Sequence, residues 1–229
     1  MQKNILITGC SSGLGLALTN FYLENGFNVF GISRTNPNID DKNFSFKKFD
    51  LSKLENIKKD LSSYISSIKE IEVVYLNAGA LGEIKELENL SISEIKEVLD
   101  INVFANKELL DIFAKIDVKN IIGISSGASV NGSKGWGAYS LSKSSLNMLI
   151  NLYSKEMLNT KLLAIAPGVI ETPMTDIIRF DVDDNIFTSA KILKEGDIQQ
   201  ASDAAQRLHT VVERIDEFES GSFIDVRKI

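Results

Sequence analysis

The chain has 229 residues, of which 44% are hydrophobic, and a formal net charge of −6. This length suits one well-buried core, and the composition argues against intrinsic disorder. The acidic balance argues against nucleic acid or an anionic membrane as a partner, and no apolar run is long enough to span a bilayer. Cys10 and His209 are the only residues of their types, so we expect no intramolecular disulfide, metal site or histidine-based triad.

The N-terminal residues lead directly into the apolar stretch Ile5–Ile7. They lack the long apolar region and the small-residue cleavage site of a secretory signal peptide. We therefore expect a cytoplasmic protein.

Short apolar runs alternate along the chain with longer amphipathic segments. The predicted strands are Asn4–Thr8, Asn28–Ile32, Phe44–Phe49, Val73–Asn77, Asn120–Ser125, Lys161–Ala166 and Ser222–Val226. The predicted helices are Gly13–Glu24, Lys53–Ile68, Ser93–Ala114, Ala138–Leu158 and Asp197–Val212. This alternation predicts an α/β fold: a doubly wound, parallel, seven-stranded sheet with helices on both faces. Ligands of such sheets bind outside the carboxyl ends of the strands.

A glycine-rich loop lies between the first predicted strand and the first predicted helix. Its sequence is Thr8-Gly9-Cys10-Ser11-Ser12-Gly13-Leu14-Gly15. Glycines allow a tight turn and let backbone amides approach a pyrophosphate at the positive end of the helix. In this strand–loop–helix context the loop predicts dinucleotide binding.

The loop and three later motifs resemble those of the short-chain dehydrogenase/reductase family in its compact, single-domain form. Asp50-Leu51 resembles the pair that contacts adenine, and Asn77-Ala78-Gly79 resembles the motif that stabilises the sheet beside the cofactor. Pro167–Thr172 resembles the segment that holds the nicotinamide carboxamide, chiefly through Ile170 and Thr172. The resemblance implies one NADP-binding Rossmann domain over residues 1–229. The implied cofactor contacts are Thr8, Gly9, Ser11, Ser12, Gly13, Leu14, Gly15, Ser33, Arg34, Asp50, Leu51, Asn77, Ala78, Gly79, Tyr139, Lys143, Pro167, Gly168, Ile170 and Thr172.

The end of the second predicted strand indicates which nicotinamide cofactor is preferred. An acidic residue there would accept a hydrogen bond from the ribose 2′-hydroxyl and repel a 2′-phosphate. This chain has Ser33-Arg34-Thr35 instead, and a guanidinium can pair with the phosphate while neighbouring hydroxyls donate further bonds. The sequence therefore favours NADP(H), although the glycine loop lacks the second basic residue that many NADP-selective relatives carry.

Tyr139 and Lys143 stand four residues apart on one predicted helix, so both side chains project the same way. We expect the lysine, together with an oxidised nicotinamide, to lower the pKa of the phenol. In the reduction direction, the phenol would protonate the carbonyl oxygen as hydride reaches the carbon. By resemblance, Lys143 also donates to the nicotinamide ribose.

The resemblance completes a catalytic set of four residues: Asn102, Ser126, Tyr139 and Lys143. Ser126 lies thirteen residues before Tyr139, at the offset where the family places the serine that polarises the substrate carbonyl. Ser125 is its neighbour, but strand alternation turns that side chain to the other face. Asn102 matches the asparagine that kinks a helix and holds a proton-relay water, while a satisfied polar group at a helix bend is the competing interpretation.

Substrate contacts are predicted at Ser126, Trp136, Tyr139 and Asp225. The stretch Lys134–Tyr139 resembles sepiapterin reductases and bacterial benzil reductases, and Ser220–Asp225 resembles the end of sepiapterin reductase, where an aspartate anchors the pterin. A structural role for Asp225 is the alternative. Residues 174–195 are expected to form a substrate lid, irregular from Met174 to Leu193.

These features predict an NADPH-dependent carbonyl reductase for a small ketone or dicarbonyl substrate. A 3-oxoacyl-carrier-protein reductase is a second enzyme hypothesis, although the acidic surface does not favour that docking partner. A non-catalytic NADP sensor or scaffold is the third. By resemblance, the helices around Ser93–Ala114 and Ala138–Leu158 are expected to form a homodimer or homotetramer.

Overall fold

The computed structural model of the chain describes residues 2–229; Met1, the first residue of the predicted domain, lies outside the described residues. Within this range seven parallel strands form one sheet in the order β3-β2-β1-β4-β5-β6-β7. The strands are β1 Asn4–Thr8, β2 Asn28–Ser33, β3 Phe44–Lys48, β4 Ile71–Leu76, β5 Val118–Ile124, β6 Lys161–Ala166 and β7 Phe223–Asp225. The predicted doubly wound parallel sheet is confirmed.

Helices cover both faces of the sheet. They are α1 Gly13–Glu24, α2 Leu54–Ser66, α3 Ile92–Leu99, α4 Ala105–Phe113, α5 Gly137–Glu156, α6 Pro173–Phe180, α7 Thr188–Glu195 and α8 Ala201–Glu213. One apolar core joins the sheet to α1 and α8, and a second joins the opposite face to α2, α4 and α5. The central strands are buried on both faces, which explains why they are apolar almost throughout, whereas the edge strand β3 is only partly buried.

Several predicted boundaries differ from those of the structure. The strands β4 and β5 each begin two residues before the predicted start. The helix predicted over Ser93–Ala114 contains a π-helical turn, Asp100–Phe104, between α3 and α4. The last helix begins at Ala201 rather than Asp197, because Gln199 forms a β-bridge with Ile170 and holds that stretch extended.

The segment from Met174 to Leu193, predicted to be irregular, contains the helices α6 and α7. The α6 helix begins where Thr172 and Thr175 cap each other reciprocally and Pro173 occupies the first turn. The prediction of an irregular lid was wrong in this respect, because a short helix with a local cap lacks the long periodicity that marks the other helices.

The chain order places one crevice at the carboxyl ends of the central strands. From β1 the chain proceeds outward to β2 and β3, and it then returns to β4 on the other side of β1. This reversal between β1 and β4 is the topological switch point at which doubly wound sheets bind ligands. Between residues 2 and 229, none of the helices is long and apolar enough to cross a membrane.

Candidate active site

The glycine loop connects β1 to α1 in a conformation that requires glycine. Gly9 and Gly13 have positive φ values of 70° and 50°, which side-chain-bearing residues rarely adopt. A Cβ atom on Gly15 would lie 2.1 Å from the carbonyl oxygen of Gly9. The Ser12 hydroxyl, at the N-cap, makes no capping hydrogen bond to any residue that the structure describes. The first-turn amides of α1 therefore remain suited to an anionic group such as a pyrophosphate.

Thr8 and Asn77 join the carboxyl ends of β1 and β4. The Thr8 hydroxyl accepts hydrogen bonds from the backbone amides of Asn77 and Ala78, at 3.0 and 3.1 Å. The Asn77 amide group donates in return to the carbonyl oxygens of Thr8 and Gly9, at 2.9 and 3.3 Å. The two predicted cofactor motifs are thus held together by hydrogen bonds across the switch point.

The motif predicted to hold the nicotinamide meets the glycine loop. A Cβ atom on Gly13 would lie 3.1 Å from Thr172 Cγ2, so the two segments are in contact distance. Gly13, Thr172 and Pro173 border a cavity of about 360 Å³ beside the start of α1. Gly168 has a φ of 89°, which turns the chain after β6. The residues present therefore fit a nicotinamide dinucleotide that spans the ends of β1, β4 and β6.

Arg34 follows directly after the end of β2. Arg34 is exposed, and it makes no hydrogen bond or ion pair with the residues that the structure describes. The Ser33 hydroxyl is buried and donates to the carbonyl oxygen of Thr35 at 2.6 Å, and its predicted contact with the cofactor stays a prediction. Asp50 accepts from the amide of Ser52, which lowers the pKa of its carboxyl. Arg34 is thus the available group for a 2′-phosphate.

Tyr139 lies near the start of α5 and is almost completely buried. Burial raises the pKa of its phenol to about 12, and the neighbouring Ser126 hydroxyl offsets this only in part. Desolvation thus dominates this pKa, and the lowering expected from Lys143 together with an oxidised nicotinamide stays a prediction for the cofactor-bound protein. The phenol therefore keeps its proton at neutral pH, as a proton donor requires.

Ser126 lies directly after Ser125, where β5 ends. Its Oγ accepts from the backbone amide of Ala128 at 3.1 Å, which leaves the hydroxyl hydrogen free to point toward a ligand. The neighbouring Ser125 hydroxyl donates to Asn147 Oδ1 at 2.5 Å and is committed to α5. The structure therefore distinguishes the two serines as strand alternation predicts.

Lys143 lies one helical turn after Tyr139, and its ammonium group is buried. Lys143 Nζ donates to the carbonyl oxygen of Ile124 at 2.7 Å, at the end of β5. Burial lowers the pKa of Lys143 to about 8, so most of its ammonium groups are charged at neutral pH. A Cβ atom on Gly79 would lie 3.5 Å from this Nζ, which places the lysine beside the third predicted cofactor motif.

Asn102 lies inside the π-helical turn and is completely buried. Its Oδ1 accepts from the amide of Ala80 at 2.7 Å, and its Nδ2 donates to the Ala80 carbonyl oxygen at 2.9 Å and to the Ser142 hydroxyl at 2.8 Å. The Asn102 carbonyl oxygen accepts from Asn106 Nδ2 at 2.8 Å. Asn102 thereby ties the loop after β4 to α5, whereas the water relay stays a prediction.

The predicted lid packs against Tyr139, the predicted catalytic tyrosine. Ile178 of α6 and Phe187 before α7 belong to one buried cluster with Tyr139. The ring centroids of Trp136 and Tyr139 are 5.7 Å apart, in an edge-to-face arrangement. Trp136 Nε1 donates a hydrogen bond to the Ser189 hydroxyl at 2.5 Å. The indole thus connects the lid to the start of α5.

Asp225 ends β7, and its carboxylate is paired with Arg227. Asp225 Oδ1 accepts from the backbone amide and Nε of Arg227, at 3.1 and 2.9 Å, and Oδ2 accepts from Nη2 at 2.6 Å. This pairing lowers the pKa of the Asp225 carboxyl. The side chain is only 7% exposed, so the structural alternative accounts for its contacts, and a direct pterin contact stays a prediction. Arg227 itself was missed, because the sequence carries no motif around it.

His209, the only histidine in the sequence, lies away from these residues. His209 Nδ1 is 3.2 Å from the Tyr22 hydroxyl, which is itself 2.7 Å from the Tyr75 hydroxyl. His209 borders a second cavity, of about 830 Å³, together with Lys3 at the amino ends of the strands. His209 therefore packs on the far side of the sheet from Tyr139. Among residues 2–229, no cluster of His, Cys, Asp and Glu side chains is arranged to hold a metal ion.

Comparisons with known proteins agree with this geometry. Residues 3–182 match the model of a protein family described as "short chain dehydrogenase". A benzil reductase ((S)-benzoin forming) from Bacillus cereus is 31% identical, over 98% of this chain and 99% of that protein. The sepiapterin reductase of Bos taurus is also 31% identical, but over only 47% of this chain and 40% of that enzyme.

Solved structures share the fold. A short chain dehydrogenase family protein from Francisella tularensis superposes with a TM-score of 0.85 at 22% identity, covering 98% of this chain and 97% of the other. ElxO with NADP bound has a TM-score of 0.79 at 21% identity, covering 99% and 97%. The 4-hydroxyisoleucine dehydrogenase complexed with NADH has a TM-score of 0.82 at 24% identity, covering 98% and 96%.

Proposed function

Because the chain belongs to the short-chain dehydrogenase family, we propose that it is an NADPH-dependent carbonyl reductase that prefers a ketone or dicarbonyl substrate. The observation that carries this proposal is the buried, protonated Tyr139 beside Ser126, with Lys143 one turn later on the same helix. The benzil reductase relative, aligned over nearly the whole chain, supports a dicarbonyl as the substrate.

The proposed chemistry divides between the cofactor and three side chains. NADPH supplies the hydride for the carbonyl carbon. The Tyr139 phenol donates its proton to the carbonyl oxygen, and the free hydroxyl hydrogen of Ser126 holds that oxygen in place. The Lys143 ammonium adds positive charge near the phenol and stabilises the phenolate that remains. The products are an alcohol and NADP⁺.

Arg34 supports NADPH rather than NADH as the reductant. Its guanidinium is exposed at the carboxyl end of β2, and a free guanidinium suits a phosphate group. Structural neighbours differ in this respect, since ElxO has NADP bound and the 4-hydroxyisoleucine dehydrogenase is complexed with NADH. The preference of this chain therefore depends on its own residues at this strand end.

Arg34→Gln is expected to raise the KM for NADPH by about 10- to 100-fold, because hydrogen bonds to the 2′-phosphate are lost. The KM for NADH should change less than threefold, since NADH has no such phosphate. Initial rates with each cofactor measure this. Arg207→Gln removes an exposed arginine from α8 and serves as the control. Equal changes in KM for NADPH and NADH would contradict a contact between Arg34 and the 2′-phosphate.

Two alternative functions are compared with the proposed one. A 3-oxoacyl-carrier-protein reductase would use the same tyrosine, lysine and serine, but the net charge of −6 does not favour an acidic protein partner. A non-catalytic NADP sensor would not need the arrangement of Ser126, Tyr139 and Lys143.

We also propose that the protein forms a homodimer or homotetramer, since Leu141, Met148 and Leu152 leave an apolar face of α5 exposed. The proposed location, the cytoplasm, rests on the sequence alone.

The deciding experiment follows NADPH oxidation at its near-ultraviolet absorbance with benzil, small α-diketones, sepiapterin and an acetoacetyl thioester. We expect turnover of the diketones with NADPH preferred over NADH. Turnover of the thioester alone would favour the carrier-protein alternative. NADPH binding without turnover of any of these substrates would favour the sensor and contradict the proposed activity.

A further inference from the structure

Arg227 is held across the carboxyl ends of the last strands of the sheet. A Cβ atom on Gly127, the residue after Ser126, would lie 3.2 Å from Arg227 Nη2. A Cβ atom on Gly168 would lie 3.7 Å from both Cγ and Cδ of the same arginine. The side chain therefore crosses from the loop after β6 to the loop after β5, where the carbonyl-binding serine lies.

Asp225 fixes the orientation of this guanidinium. The carboxylate takes the Nε–H and one Nη2 hydrogen of Arg227, which form one edge of the planar group. A guanidinium has five N–H donors, so the two hydrogens of Nη1 and the second hydrogen of Nη2 remain. Within the described part of the chain, every hydrogen bond that the Arg227 side chain makes goes to Asp225. The end of the guanidinium thus presents a free pair of parallel donors.

The Arg227 side chain is accessible, and its Nη2 lies next to the residue that follows Ser126. The Arg227 side chain is 50% exposed, whereas that of Asp225 is 7% exposed. Ala128, two residues after Ser126, packs against the cluster that contains Tyr139 and the lid. Arg227 Nη2 therefore lies beside the loop that carries Ser126, the residue that would hold the carbonyl oxygen.

We propose that Arg227 determines substrate specificity by donating to a second carbonyl oxygen next to the one that is reduced. This inference rests on the proposed reductase function and names the residue that would select a 1,2-dicarbonyl. Since Asp225 neutralises the guanidinium, the pair carries no net charge and suits an uncharged carbonyl oxygen more than a carboxylate.

The test compares benzil with deoxybenzoin, in which a methylene replaces one of the two carbonyl groups. Arg227→Gln is expected to lower the ratio of kcat/KM for benzil to that for deoxybenzoin by about 10- to 100-fold. Arg227→Lys should lower the ratio as well, because an ammonium keeps the charge but loses the fork of donors. Lys228→Gln, at the next residue, is the control and should keep the ratio of the unchanged protein.

The double variant Asp225→Asn, Arg227→Gln leaves no unpaired carboxylate, and the ratio of kcat/KM for benzil to that for deoxybenzoin should fall as it does in Arg227→Gln. Thermal unfolding checks that the double variant is folded. If the wild-type protein reduces benzil and Arg227→Gln slows both ketones equally, the inference is wrong while the reductase function stands. Benzoylformate, which carries a carboxylate beside its ketone, is a third substrate, and a loss confined to it would also contradict the inference. If the wild-type protein reduces deoxybenzoin or another ketone but not benzil, the inference is wrong. If it reduces none of the carbonyl substrates tested, the proposed function itself fails.

Discussion

Tyr139→Phe is expected to lower kcat for ketone reduction by about 10²- to 10⁴-fold, the usual contribution of a positioned acid. The substitution removes only the phenolic oxygen, so the ring keeps its contacts with Trp136 and the lid cluster. Binding of NADPH should change little, because the backbone and the glycine loop are untouched. Steady-state rates and a fluorescence titration with NADPH measure the two properties separately.

Tyr153→Phe provides a matched control on the same helix. The Tyr153 hydroxyl donates to Asp111 Oδ1, and the loss of this bond should cost about 1 kcal/mol of unfolding free energy. Turnover should remain close to that of the unchanged protein. If the Tyr139 variant kept more than a tenth of the wild-type kcat, the proposed proton donor would be wrong.

The sequence predicted the sheet well because most of its strands are buried on both faces. A stretch such as Lys161–Ala166 is apolar over consecutive residues, and this pattern depends little on the rest of the fold. The glycine loop is also recognisable from a short stretch of sequence. Gly9 and Gly13 are required by their positive φ values, and Gly15 is required because the Gly9 carbonyl oxygen leaves no room for a Cβ atom. The doubly wound arrangement then followed from general rules for parallel sheets, and the strand order came from the structure.

Other features depend on contacts that no local pattern contains. The pKa of Tyr139 follows from how completely the lid and α5 exclude water, and the sequence gives no measure of that burial. The Arg227 side chain lies beside Gly127, which is 100 residues away in the chain, so its proximity to the site appears only in three dimensions. The π-helical turn at Asn102 likewise depends on partners in other segments, Ala80 and Ser142.

Gly15→Ala is expected to damage both stability and cofactor binding. The new methyl carbon would lie 2.1 Å from the Gly9 carbonyl oxygen and 2.5 Å from Asn77 Nδ2, far inside van der Waals contact. Gly9 and Asn77 are held to each other and to Thr8 by hydrogen bonds, so relief of the clash must displace backbone. We expect a loss of about 1–3 kcal/mol in unfolding free energy, as for other overpacked sites.

The same displacement would move the first-turn amides of α1, which the proposed pyrophosphate site requires. The Kd for NADPH should therefore rise at least about tenfold, a change of about 1.4 kcal/mol. Gly132→Ala is the matched control, because a Cβ atom there meets no other atom within 4 Å in the described residues, and φ is not positive. Denaturant unfolding and NADPH titration of the two variants measure the difference. Equal behaviour of the two variants would mean that close packing of the glycine loop against β4 does not shape the cofactor site.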